Sequence, residues 1–183
     1  VGFPRTDVEM RVVDEDGNDL PHGEVGEVVV RGDVVMLGYW EDPENTARAL
    51  RDDWLWTGDM GAMDPGGFLT LKDRSKDMII SGGYNVYPKE VEDALYDHPA
   101  VRECAVIGRA DPFWGETVEA IVSLQHEIAA TADDLIAHCA ERLAGYKKPR
   151  RITFVESLPK TATGKIDKKT LRQADGMAEG ANP

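Results

Sequence analysis

Asp59 directly follows Gly58 in the run WTGDMG, where glycine lets the chain turn sharply as it leaves a strand. A carboxylate placed there accepts two hydrogen bonds side by side, the geometry a ribose diol offers. Asp after Gly is also ordinary turn chemistry, so the dipeptide leaves both uses open. Further along, LKDRSKDMIISGGYNVYP carries Arg74, whose planar guanidinium suits ribose or phosphate oxygens. The same run carries Gly82-Gly83, where two missing Cβ atoms admit a thin ligand, another backbone, or simply a tight turn. The third stretch is PKTATGKIDKK, with four lysines and no large apolar residue before Ile166. Lys165 follows Gly164 there and reads as a mobile loop lysine without an apolar anchor. It could reach a site built elsewhere and set its ammonium against phosphate charge. A solvated basic tail would look the same.

These side chains need elements to aim them. From residue 8 to about 35 the chain reads as short strands and turns: VEMRVVD, the turn EDGN, then GEVGEVVVRG. Pro43 opens a short helix through Leu50, and WLWTGDMGAMDPGGFLTL gives strand, turn, strand. Residues 1–72 are therefore mostly β. Beyond them DMIIS is a strand and GGYN a loop. YPKEVEDALYDHP is a helix with Pro88 at its first position, Val91, Ala94 and Leu95 facing inward, and His98-Pro99 ending it. VRECAVIG and VEAIVSL are strands. TADDLIAHCAERLAGY is a second helix, with Thr131 as N-cap, Leu135, Cys139 and Leu143 on one face, and Gly145 as C-cap. RITFVESL gives a further strand. The expected fold class is α+β: a β-rich part over 1–72, an α+β part over 73–172 with the boundary at Asp73, and a disordered tail over 173–183.

Composition narrows the function classes. A chain of 183 residues can bury one good core or two small ones. A formal charge of −13 argues against nucleic acid as a partner. Between Arg142 and Arg172, however, ten lysines and arginines face only Glu156 and Asp167, a basic patch suited to a small polyanion. No apolar run is long enough to span a membrane and no signal peptide is visible, so a cytoplasmic location is expected. Cys104 and Cys139 lie in apolar stretches and read as free buried thiols of a reducing compartment. CxxC spacing is absent and His22, His98, His126 and His138 are scattered, so no metal ligand is assigned.

In this order, GEVGEVVVRG, GYW, WLWTGDMG, DRSKDMIISGGYNVYPKEVE, HPAV, AVIG, DPFWGE, YKKPRRI and LPKTATGKIDKKTLR resemble the carboxy-terminal third of the adenylate-forming enzymes. Within that superfamily they are most similar to the acyl-CoA synthetases, or acid–CoA ligases, over residues 1–172. The resemblance implies the distal, β-rich part of a large N-terminal adenylation domain followed by a small, mobile C-terminal lid domain. It implies that a carboxylic acid, fatty or aromatic, reacts with ATP and Mg2+ to give an acyl-adenylate and pyrophosphate. Coenzyme A (CoA) then gives the thioester and AMP. By the same resemblance Asp59 holds the ribose hydroxyls, Arg74 contacts the nucleotide, and Lys165 is the catalytic lysine bridging phosphate and carboxylate oxygens. Asp73 matches the hinge, and Gly82, Gly83 and Tyr84 line the CoA channel. Lys165 also resembles a target of a lysine acetyltransferase and deacetylase.

Some features depart from the family pattern. Trp56 stands where a small or polar residue, often His, is common. Neither a Ser/Thr/Gly-rich phosphate loop nor an aromatic-Gly-Thr-Glu adenine stretch occurs in these residues, and the acyl pocket would lie outside them too. The chain alone is therefore expected to be inactive, and its start without Met inside an apparent strand fits a longer protein. A peptide-synthetase adenylation domain, a luciferase-type member and a non-catalytic binding or regulatory module are the competing readings. Tyr39, Trp40 and Trp54 suggest an aromatic ligand, although core packing uses the same residues.

Overall fold

Valine-rich alternation builds the first of two compact units, Val1–Lys76. The computed structural model describes residues 1–126 and 128–174. Strands β1 (Glu9–Val13) and β2 (Gly26–Arg31) pair antiparallel, and α1 (Pro43–Ala49) leads to β3 (Leu50–Arg51). The long β4 (Trp54–Met63) pairs with β2, with β3 and with β5 (Leu69–Arg74), all antiparallel. Val12, Val28 and Leu69 form the buried centre, with Met10, Leu20, Val30 and Met63 against it. Helix α1 starts as expected: the Asp42 carboxylate accepts from the Asn45 amide at 3.0 Å, and Pro43 takes the first position. The DPGG turn is closed by Asp64, whose carboxylate accepts from the amides of Gly66 and Phe68 at 2.8 and 2.9 Å. Asp73, the expected hinge, lies in β5 opposite Met60.

The second unit begins at Asp77, and a 3-10 turn over Ser75–Asp77 spans the division. Its strands are β6 (Ile79–Ser81), β7 (Tyr84–Val86), β8 (Val101–Asp111), β9 (Gly115–Leu124) and β10 (Arg151–Phe154). Its helices are α2 (Pro88–Tyr96), α3 (Ala132–Ala140) and α4 (Lys168–Gln173). β8 and β9 form a long antiparallel hairpin, β10 runs parallel to β9, and β6 joins β9 at Ser81 opposite Gly115. Alternation along β8 sends side chains to two cores. Cys104 and Val106 pack with Val91 and Leu95 of α2 and Leu135 and Cys139 of α3. Ala105 and Ile107 pack with Ile121, Leu158 and Leu171 of α4. The unit is thus an α+β sheet with apolar side chains on both faces, in agreement with the expected class.

Several details differ from the sequence reading. GGYN is not a loop: only Gly82 and Gly83 turn, while Tyr84 and Asn85 pair with Ser81 and Ile80. Thr131 and Asp134 form a complete capping box at the start of α3, but the helix ends at Glu141 rather than near Gly145. Past Ala140 the Arg142 and Leu143 amides both converge on the Cys139 carbonyl, tightening the chain into a turn that still delivers Leu143 to the core. Helix α4 was not anticipated, because one buried residue, Leu171, leaves no readable period. The tail expected to be disordered lies, beyond Ala174, outside the described residues.

Candidate functional site

Asp59 is aimed by a bulge within β4, not by a turn leaving a strand. Val29 faces Trp56 and Glu27 faces Met60, so Thr57, Gly58 and Asp59 together oppose Val28 alone. Gly58 takes φ +72°, a backbone that side chains resist. Side-chain hydrogen bonds brace the bulge. The Thr57 hydroxyl donates to the Val28 carbonyl at 2.7 Å and accepts from the Asp59 amide at 3.1 Å, while the Glu27 carboxylate accepts from the Gly58 amide at 2.9 Å. Thr57 and Glu27 are supporting residues the sequence did not reveal, because their role depends on cross-strand register.

On the neighbouring strand Arg74 stands opposite Asp59 and its Nε lies 2.7 Å from Asp59 Oδ1. Arg74 is exposed at 56% of its side chain, so the pair contributes only about 0–1 kcal/mol to stability. Its use is presentation: a carboxylate with spare acceptor sites beside a planar cation. Trp56 packs locally, with the Arg51 guanidinium 4.3 Å from its ring centroid.

In the second unit Gly82 and Gly83 have φ of +58° and +83°, the two successive positive angles of the tightest hairpin turn. The Gly82 amide donates to the Trp114 carbonyl at 2.8 Å, and a Cβ on Gly82 would sit 2.7 Å from the Trp114 ring. Arg150 stacks on that ring at 4.2 Å, and Tyr84 stacks on Tyr146 at 4.7 Å. The turn holding Trp114 is fastened by Asp111, which accepts from the Trp114 and Phe113 amides. Those two bonds hold its carboxyl below the ordinary range. Gly82, Gly83 and Tyr84 thus share one aromatic, partly cationic surface with residues the motif had not flagged.

The Lys165 segment is anchored, contrary to expectation. Lys160 pairs with Ile166, the Thr161 amide donates to the Lys165 carbonyl at 2.7 Å, and the Asp167 amide donates to the Pro159 carbonyl at 2.8 Å. Asp167 then caps α4 through the Thr170 amide and hydroxyl. Leu158 and Ile166 seat both ends of this hairpin in the core beneath, beside Leu171 of α4. Lys165 itself is exposed and makes no ion pair among the described residues. The basic patch is largely neutralised. Arg142, Lys147, Arg151, Lys160, Lys168 and Arg172 each pair with an acid, every one of them outside the segment. Lys148, Arg150, Lys165 and Lys169 remain without one among the described residues.

Residues 90–165 match the AMP-binding enzyme C-terminal domain, and residues 1–40 match the AMP-binding enzyme family. The chain belongs to the AMP-binding, adenylate-forming enzyme family. It is 47% identical over 177 residues to a long-chain-fatty-acid–CoA ligase of Bacillus subtilis, covering 96% of this chain and 31% of that protein. It is 46% identical to a feruloyl-CoA synthase of an Amycolatopsis species, covering 96% of this chain and 36% of that one. Among solved structures, an amide bond synthetase from Marinactinospora thermotolerans superposes with a TM-score of 0.89 at 44% identity, over 96% of this chain and 36% of its own. The o-succinylbenzoate CoA synthetase of Bacillus subtilis, bound to its acyl-adenylate intermediate, gives 0.87 at 37% identity, over 98% and 36%. The chain spans about a third of the length of the curated relatives it matches.

Proposed function

We propose that these residues serve an ATP-dependent acid–CoA ligase, supplying its ribose contact, its adenylation lysine and its thioester-stage surface. The observation that carries this reading is Lys165: in a segment where most basic side chains are paired off, its ammonium is held out unpaired on an anchored hairpin. In the first half-reaction a carboxylate oxygen attacks the α-phosphorus of ATP, the bond to the β-phosphate oxygen breaks, and pyrophosphate leaves. The two reactants are anions, and a cation between them lowers the cost of bringing them together. Lys165 supplies that cation, while Asp59 receives the ribose hydroxyls and Arg74 lies along the nucleotide. In the second half-reaction the CoA sulfur bonds to the acyl carbon, AMP leaves and the thiol proton passes to solvent.

Lys165 has to withdraw before the thiol enters, which calls for a joint near Asp73 and for Gly82, Gly83 and Tyr84 along the pantetheine path. Magnesium would enter with the triphosphate as part of the ATP substrate. Acetylation of Lys165 would remove the charge the first step uses. Without the phosphate-loop and acyl-pocket residues of a full-length ligase, this stretch alone would be inactive.

A second reading, with an amine as the acyl acceptor, is favoured by the likeness to the amide bond synthetase. The test is a panel of fatty and aromatic acids offered to the full-length protein with ATP. Acid-dependent pyrophosphate release followed by CoA-dependent thioester and AMP is the expected result. Release of pyrophosphate with product formed only from amines would establish the second reading, and no release with any acid would refute both.

A further inference from the structure

Lys165 sits just ahead of α4, which begins three residues later and is six residues long. So short a helix has little stability of its own, and its position rests on what tethers it. At its start Lys168 pairs with Glu92 at 2.8 Å, and the same carboxylate accepts from the Val106 amide at 2.8 Å. At its end Arg109, gripped by the buried Glu119 at 2.5 Å, donates to the carbonyls of Leu171, Arg172 and Ala174. Those are acceptors that a helix terminus leaves open. Both tethers lead back to the sheet and α2.

The third leads elsewhere. Arg172 Nη2 lies 2.7 Å from Asp77 Oδ1. Asp77 is the first residue of the second unit and closes the 3-10 turn through which the chain enters it. Asp77 is 15% and Arg172 34% exposed, so solvent and salt screen this pair less than a surface one. The contact joins segments 95 residues apart: the helix behind the catalytic lysine and the backbone at the joint.

Resting on the proposed function, we infer that Asp77 and Arg172 are a positioning pair for Lys165. They fix α4 to the joint, so that the orientation of the joint sets where the ammonium is delivered during adenylation. The pair acts through Lys165 and has no part in the thioester step.

The test uses the full-length protein with Asp77→Asn, Arg172→Gln and the charge-keeping Arg172→Lys, each also in a Lys165→Ala background. Acid-dependent pyrophosphate release gives kcat and KM for ATP, supplied acyl-adenylate gives the thioester rate, and Tm reports folding. Asp77→Asn and Arg172→Gln should lower kcat for pyrophosphate release ~10-fold or more, as misplacement of a reacting group does, with KM for ATP little changed. Thioester formation should persist, Arg172→Lys should recover much of the loss, and neither change should add to the defect of Lys165→Ala. Equal loss in both half-reactions, a further loss on top of Lys165→Ala, or no loss at all would overturn the inference. If Lys165→Ala is itself silent, the proposed function fails with it. If Lys165→Ala is damaging and the pair is not, only the pair's role fails.

Discussion

Gly82 and Gly83 both require a left-handed backbone, yet their surroundings differ in a way that separates strain from contact. A methyl on Gly82 would run into the Trp114 ring, whereas nothing lies within 4 Å of one on Gly83. Gly83→Ala should therefore cost the about 1–2 kcal/mol of a left-handed alanine, and Gly82→Ala distinctly more. Chemical denaturation of the two variants measures this, and equal losses would contradict the contact. If the surface serves CoA, Gly82→Ala should also slow thioester formation more than pyrophosphate release. At this scale the types were legible and the aiming was not. Asp59 and Arg74 stand out by motif, but the bulge that points Asp59 depends on Thr57 and Glu27 answering Val28 and Gly58 across the sheet. No local pattern in the sequence encodes that register.

Among the elements, the long or well-capped ones were readable because local signals agree with packing. Thr131 and Asp134 start α3 by mutual hydrogen bonds, and Val91, Ala94 and Leu95 give α2 its inward stripe. Helix α4 escaped because its position comes from Arg109, Glu92 and Asp77, all distant in sequence. The lysine hairpin looked mobile because its anchors are backbone hydrogen bonds, which side-chain types do not reveal.

The thiols offer a check on how tightly α2, α3 and the sheet close. Burial pushes Cys104 from 9.0 up to about 12 and Cys139 up to about 11. Both should stay protonated and resist iodoacetamide at pH 8 until the protein is unfolded. Since these folded values lie above the unfolded ones, the stability they carry is intact below pH 9 and declines as pH rises toward about 12. Fast alkylation of Cys104 in the native protein would contradict this packing.

For the whole molecule, net charge was a poor guide to the site. Ion pairs neutralise six of the ten basic side chains between Arg142 and Arg172, and four cations of that stretch stay unpaired among the described residues. The two units divide the expected work: Asp59 and Arg74 belong to the first, Lys165 and the Gly82 turn to the second. Under the proposed function, one half-reaction needs the lysine and the other needs it gone. The most direct measurement is Lys165→Ala in the full-length enzyme, with each half-reaction followed separately. Acid-dependent pyrophosphate release should fall by ~100-fold or more, while supplied acyl-adenylate is still converted to thioester. Equal loss of both rates, or full retention of pyrophosphate release, would contradict the role given to Lys165.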